Sequence, residues 1–343
     1  NIGSGPFVFD KDAWVPGSKI VYRKNKNYKP RSEPASYAAG GKRVHFDTVE
    51  WIYIPDPATS MNALIAGEVD FWETPAVDLV PSMEGNSDIT IKVIDPLGTQ
   101  GWLRPNHLNP PFNHPKARQA LLHLASQETY LRAIVGDEKF WSTCGTFFMC
   151  NTPLDSDVGS EPLMNQDLEK AKQLLKEGGY NGETLILMDP TDIPVLHGAS
   201  LVTAQLLRDI GAKVEVQAMD WSTLTSRRAE KKPVSEGGWN IFHTYTTGAD
   251  AASPIANIGI SGGCEEKAWF GWPCDNTIEQ LRDDFSRESD PSKQKHIAEK
   301  LQAVAYSVVP YVNYGQWFQP VAYRSSLKGV LISPVPFFWN IKK

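Results

Sequence analysis

Residues 45–75, HFDTVEWIYIPDPATSMNALIAGEVDFWETP, decide how the chain folds, because strand, helix and strand signals follow one another without a gap. Val49, Trp51 and Tyr53 alternate with Glu50, Ile52 and Ile54, and a β-branched and aromatic run of period two suits a pleated sheet. Asp56 and Pro57 end that run. An Asp at an N-cap accepts a free backbone N–H, and a Pro in the first turn has no N–H to leave unsatisfied. A helix is therefore expected over 58–66, with Met61, Leu64 and Ile65 on its buried face. Gly67 stands where the helix end calls for positive φ, and 69–72 returns as extended chain.

Outward from this stretch the alternation continues. Extended segments at 7–9 and 19–23 flank a turn at Pro16 and Gly17. On the other side, Pro115 opens a helix with Ala117, Ala120, Leu121 and Leu124 on one stripe, and Ser126 caps a second that runs to Ile134. Residues 144–153 read as a loop. Helices are then expected at 167–176, 200–210 and 221–230, interleaved with strands at 184–188, 213–219 and 239–245. A long helix starts at Asp290 and Pro291 and stops before Pro310; extended chain follows over 311–324, with 330–338 beyond it. Strands alternating with helices point to a layered α/β fold.

Composition narrows the function. With Lys plus Arg at 34 against Asp plus Glu at 40, and no basic cluster, the chain lacks the phosphate attraction that nucleic acid requires. No run approaches the roughly 18 apolar residues of a membrane span, and residues 1–7 carry no signal-peptide pattern. The four cysteines lie as two local pairs, Cys144 with Cys150 and Cys264 with Cys274. Short spacing favours bridges within each pair, although four cysteines allow three connectivities and a shared zinc site is the competing reading. Bridges would place the chain in an oxidising compartment. No nucleophile elbow, zinc-protease helix or phosphate-cradling glycine loop is present, so an enzyme reading has no residues to name, and no cofactor or metal site is expected. Asp155 and Asp157 open like a calcium loop but lack the later Gly and Glu, which leaves a solvated turn.

The phrase Gly67-Glu68-Val69-Asp70 and its surroundings resemble the family 5 extracytoplasmic solute-binding proteins, the peptide, opine and nickel receptors of bacterial ABC importers. Three further phrases share the resemblance: Gly3-Ser4-Gly5-Pro6-Phe7, followed by Pro16-Gly17 and Asn25-x-x-Tyr28; Asn106-x-x-x-Pro110-Pro111-Phe112; and the run from the 167–176 helix through Ile210-Gly211 to Gly238-Trp239. The resemblance implies a periplasmic-binding-protein-like two-lobe architecture of type II, with mixed sheets flanked by helices. It also implies that the chain lacks the amino-terminal part of lobe I and the small inserted domain. On that reading 1–103 is part of lobe I, 104–311 is lobe III, and 312–343 returns to lobe I.

Function follows as an expectation: a periplasmic, monomeric receptor that closes two lobes around a small solute and presents it to an inner-membrane ABC permease. A nickel-type chelate receptor and an extracytoplasmic hydrolase are the alternatives. In peptide-binding relatives an Asp in the loop after the 239–245 strand pairs with the ligand α-amino group, and Asp250 holds the similar position, beside Thr247 and Gly248. The competing reading is a turn Asp bonded to its own backbone. Where dipeptide binders place a basic residue, this chain has Asp189 to Pro194, so a cationic or opine-like solute is at least as good an expectation as a peptide. Arg104, on the first crossing strand, is expected to grip a carboxylate or phosphate, with a surface ion pair as its alternative. Trp102, Tyr245 and Trp317 are candidate aromatic walls, or core. Trp269 and Trp272 lie between two cysteines and suggest a stapled loop at the cleft edge, while His243 is expected to be a satisfied strand histidine.

Overall fold

The computed structural model describes residues 3–343, which pack as two compact units. The first comprises 3–96 and 318–343; the second is Leu97–Trp317.

In the first unit, β1 (Phe7–Phe9), β2 (Lys19–Lys24) and β3 (Thr48–Ile52) form an antiparallel sheet in that order. A helix over Pro57–Ala66 follows, and its ends are as the sequence dictates. Asp56 accepts from Thr59 N at 2.7 Å, and Gly67 adopts φ 79°, a conformation that costs a residue with a Cβ. A second small sheet places β12 (Pro320–Arg324) between β4 (Phe71–Trp72) and β5 (Ile89–Val93), all antiparallel. Leu64 of the helix packs with Met83, Ile89 and Ala322, and the ring of Phe71 stacks on Tyr323 at 5.6 Å.

The second unit is built on one six-stranded mixed sheet. Its order is β7 (Trp141–Ser142), β11 (Val312–Trp317), β6 (Thr99–Pro105), β10 (Ile241–Thr247), β8 (Thr184–Pro190) and β9 (Lys213–Met219). β6 runs antiparallel to both β10 and β11, whereas β10, β8 and β9 are mutually parallel. Helices cover the sheet, among them Pro115–Leu124, Gln127–Ile134, Leu168–Glu177, Pro194–Asp209 and Pro291–Val308. Leu103, Phe112, Leu121, Leu131, Leu187 and Leu301 lie in their shared core. The expected α/β architecture with mixed sheets is the one observed.

Four details differ from the sequence reading. The packing divides the chain at 96/97 and 317/318, outside the expected boundaries at 103/104 and 311/312, because β6 and β11 are hydrogen-bonded whole into the second unit's sheet. The single extended run expected over 311–324 is likewise two strands in two sheets. The helix expected from 200 begins at Pro194, whose fixed φ suits a first turn, and a helix over Asn276–Arg287, capped by Asp275 accepting from Ile278 N, was not expected.

Both cysteine pairs are bridged within themselves, Cys144 to Cys150 and Cys264 to Cys274. Each closes a short loop whose backbone makes few regular hydrogen bonds. Loop-closure entropy assigns about 2 to 3 kcal/mol to bridges of this span. Reduction is accordingly expected to lower the urea midpoint of the second unit, and equal midpoints with and without reductant would show that the bridges contribute nothing to stability.

Candidate functional site

The parallel strands β8, β9 and β10 end at one edge of the sheet, and that edge is where the expected residues gather. Thr99, at the start of β6, is paired with Thr247 on one side and Trp317 on the other, so the chain enters and leaves this unit there. Segments beyond the carboxyl ends of parallel strands are where open α/β sheets place ligands.

After β10 the backbone makes a single helical turn, Gly248–Ala251. Thr247 caps it, its Oγ1 accepting from Asp250 N at 3.3 Å and donating to Asp250 Oδ2 at 2.9 Å. The turn rests against the start of β6. Gly248 N donates to Gly98 O at 2.6 Å, and a Cβ on Gly248 would stand 2.5 Å from Leu97 Cβ and 2.7 Å from Leu97 O, so only glycine fits. This geometry turns Asp250 to the surface, where it is exposed. Tyr245, 45% exposed, meets Trp317 edge to face at 5.8 Å, and Trp317, 4% exposed, belongs to the core, stacked on Tyr314, rather than forming an open aromatic wall. Tyr245, Thr247, Gly248, Asp250 and Trp317 thus share one edge.

Arg104 and Trp102 do not join them. Both lie farther along β6, and both are buried. The Arg104 guanidinium donates to the carbonyls of Phe270, Gly259, Pro310 and Trp269. With Nε and both Nη groups so engaged, it has no fork to offer a carboxylate, and the expected anion grip is corrected to a structural tie. Its alternative, a surface ion pair, is excluded by the same burial. Trp102 stacks on Tyr311 at 4.6 Å and donates from Nε1 to Gln100 Oε1 at 2.8 Å; it is core. Trp269 and Trp272 also turn inward, to pack with Trp239 and Phe242, rather than line an edge.

His243 is a satisfied strand histidine. Its Nε2 meets Thr203 Oγ1 at 2.8 Å and its Nδ1 meets Ser200 Oγ at 3.3 Å, in a fully buried site that pushes its pKa down to about 3. Asp155 closes a turn by accepting from Asn151 N. Among the described residues no group of three or more His, Cys, Asp or Glu is arranged to hold a metal, and no helix is long and apolar enough to cross a membrane.

One group at the edge is named in the sequence reading only as standing where dipeptide binders place a basic residue, without its partner, and another is not named there at all. Asp189, in the last turn of β8, is 2% exposed and accepts from His197 Nδ1 at 2.8 and 3.0 Å. Gln316 donates from Nε2 to Leu97 O at 2.8 Å, while its buried Oε1 has no partner. The signal for the first was the spacing of Asp189 and His197 across a strand end and a helix start; Gln316 gave none.

Two outcomes test this assignment. Arg104→Gln should leave buried carbonyls without donors and cost about 3 to 5 kcal/mol in urea unfolding; a wild-type midpoint would show the tie to be dispensable. For His243, the folded pKa lies below the unfolded value, so the unfolded chain takes up the proton first. Its contribution is full above the ordinary histidine range and is lost as pH falls from there toward about 3. Stability should therefore decline with falling pH by up to about 1.4 kcal/mol per unit, and His243→Asn should flatten that slope. Parallel slopes would contradict it.

Comparison with known proteins places this geometry in context. The family described as "Bacterial extracellular solute-binding proteins, family 5 Middle" matches residues 1–261. A probable peptide ABC transporter periplasmic-binding protein of Sinorhizobium fredii is 38% identical over 346 residues, covering 100% of this chain and 65% of its own length. Oligopeptide-binding protein AppA of Bacillus subtilis is 28% identical over 66% of this chain and 41% of its own. The chain therefore spans less than two thirds of these relatives. Among solved structures, the binding protein AgaA from A.tumefacien R10, in complex with agropinic acid, superposes with a TM-score of 0.79 at 20% identity, over 98% of this chain and 66% of that one. DppA from Helicobacter pylori, in complex with the peptide STSA, gives 0.79 at 23%, over 99% and 62%.

Proposed function

Because the chain belongs to the bacterial extracellular solute-binding proteins of family 5, we propose that it is the solute-contacting part of a periplasmic receptor. In this reading it captures a small solute and delivers it to an ABC permease in the inner membrane. The carrying observation is the sheet edge of the second unit, where Tyr245, Thr247, Gly248, Asp250 and Trp317 converge with the Asp250 carboxylate exposed. A carboxylate fixed by its own turn, beside an aromatic ring, suits an ammonium or guanidinium group, because the ring face and the charge both favour a cation. Two separately packed units joined by two chain connections are the covalent arrangement that hinge-closing receptors use. The relatives are named for several kinds of solute, peptides among them, and AgaA holds agropinic acid, which supports a small-solute receptor without fixing which solute this chain takes. The reading assigns capture without turnover.

Asp250→Asn is expected to abolish binding of cationic solutes in calorimetry while the melting temperature stays within about a degree, since an exposed turn residue carries little stability. An unaltered dissociation constant would remove Asp250 from the site.

A further inference from the structure

The ends of β8, β9 and β10 and the residues just after them carry four aspartates, Asp189, Asp192, Asp220 and Asp250, and none of 189–197, 219–226 or 245–253 contains Lys or Arg. Two of the four have local duties. Asp192 accepts from Trp221 N at 2.8 Å, and Asp220 caps the helix Trp221–Arg227 through Thr223. Asp189 is different: it is buried, and the partner it holds is not. His197 retains 39% side-chain exposure one turn into the helix Pro194–Asp209, with both oxygens of Asp189 on its Nδ1. A carboxylate only accepts, so Nδ1 carries the proton, and the neutral ring is left with a lone pair on Nε2. A buried carboxylate that fixes the tautomer and orientation of an exposed imidazole is the arrangement by which binding sites position a histidine.

Gln316 adds an independent pointer. It is 1% exposed, its Nε2 is engaged by Leu97 O beneath the Gly248 turn, and its Oε1 accepts nothing. Buried acceptors without donors are rare in folded proteins and point to a missing partner. Asp250, His197 Nε2 and Gln316 Oε1 are all acceptors.

Resting on the receptor reading above, we propose that His197, positioned by Asp189, is a specificity-determining residue of the same site. The solute is a donor-rich cation without a carboxylate: one donor group meets Asp250, and a second hydrogen-bonds His197 Nε2. A solute carboxylate would face four aspartates, while the arginines of this unit nearest in sequence or on the sheet are engaged: Arg104 by backbone carbonyls, Arg227 by the carbonyls of Gly237 and Gly238, and Arg228 over Phe270.

The test is calorimetry on the intact protein, in buffer above the ordinary histidine range, with straight-chain α,ω-diamines from putrescine upward. The matching monoamines and ω-amino carboxylates serve as comparators. One diamine length should bind about tenfold or more tighter than either comparator. His197→Ala should erase the gap between diamine and monoamine while leaving monoamine affinity unchanged. Asp189→Asn keeps the side-chain size and avoids stranding a buried charge. Its amide N–H is expected to donate to Nδ1, move the ring proton to Nε2, and lower diamine affinity to the same level, with the imidazole nitrogen shifts reporting the tautomer. An unchanged diamine-to-monoamine ratio in His197→Ala overturns the proposal, as does an ω-amino carboxylate that binds as tightly as the diamine. If Asp250→Asn abolishes monoamine binding while His197→Ala changes nothing, the receptor reading stands and this inference falls; if neither variant affects any amine, both fall.

Discussion

The Arg104 guanidinium is the tie on which the second unit's arrangement depends. It stands on β6, the strand between β10 and β11, and reaches carbonyls on three segments: Gly259, Trp269 with Phe270, and Pro310. None of those carbonyls belongs to a strand of the sheet. Trp269 O also accepts from Trp272 N at 3.0 Å, and a planar fork of five N–H donors is the side chain able to serve the others at once. The loop closed by Cys264 and Cys274 is thereby fixed covalently at its ends and by charge-assisted hydrogen bonds in its middle. Aromatic packing completes the bracket, with Arg104 over Trp269 at 5.3 Å and Arg228 over Phe270 at 4.5 Å.

The same device recurs in the irregular loop over 144–158. Gln302 accepts from Thr146 Oγ1 and Phe147 N and donates to the carbonyls of Ser156 and Val158. Gln127 and Asn313 both donate to Cys144 O, and Gln127 accepts from Cys144 N. Long helices and central strands thus lend amide side chains to the loop over 144–158, in place of the ladder it cannot form.

This explains what could be read in the sequence and what could not. The helix Pro57–Ala66 was legible to its caps because Asp56, Pro57 and Gly67 act within a few residues of one another. The alternation of β8, β9 and β10 with helices was legible because apolar periodicity is local. Arg104 was misread because its partners lie more than 150 positions away, so nothing near it in the sequence shows that its donors are already taken. Trp102 failed for the same reason, since its neighbour Tyr311 comes from the far end of the unit. Tyr245 was placed at an edge because the strand's apolar alternation ends there, whereas Asp250 was singled out through its resemblance to the aspartate of peptide-binding relatives.

An arginine engaged by four carbonyls also bears on recognition. To bind a solute anion it would have to release acceptors that are buried and, Trp269 O apart, have no substitute donor, which costs more than one exposed charged hydrogen bond returns. Attraction for anions at this unit's sheet edge would have to come from another cation, and those that follow β9 are engaged elsewhere, Arg227 by the carbonyls of Gly237 and Gly238 and Arg228 over the ring of Phe270. The side chains that do reach the edge are held by elements stiffened from within, Asp250 by the Thr247 cap and His197 by buried Asp189. Rigidly held acceptors discriminate better than mobile ones, because a solute lacking the matching donors leaves them desolvated and unpaired. The interior tie on Arg104 and the acceptor character of the edge are therefore two consequences of one allocation of charge: the cation is used to hold the fold, and the anions are left at the edge proposed to meet the solute.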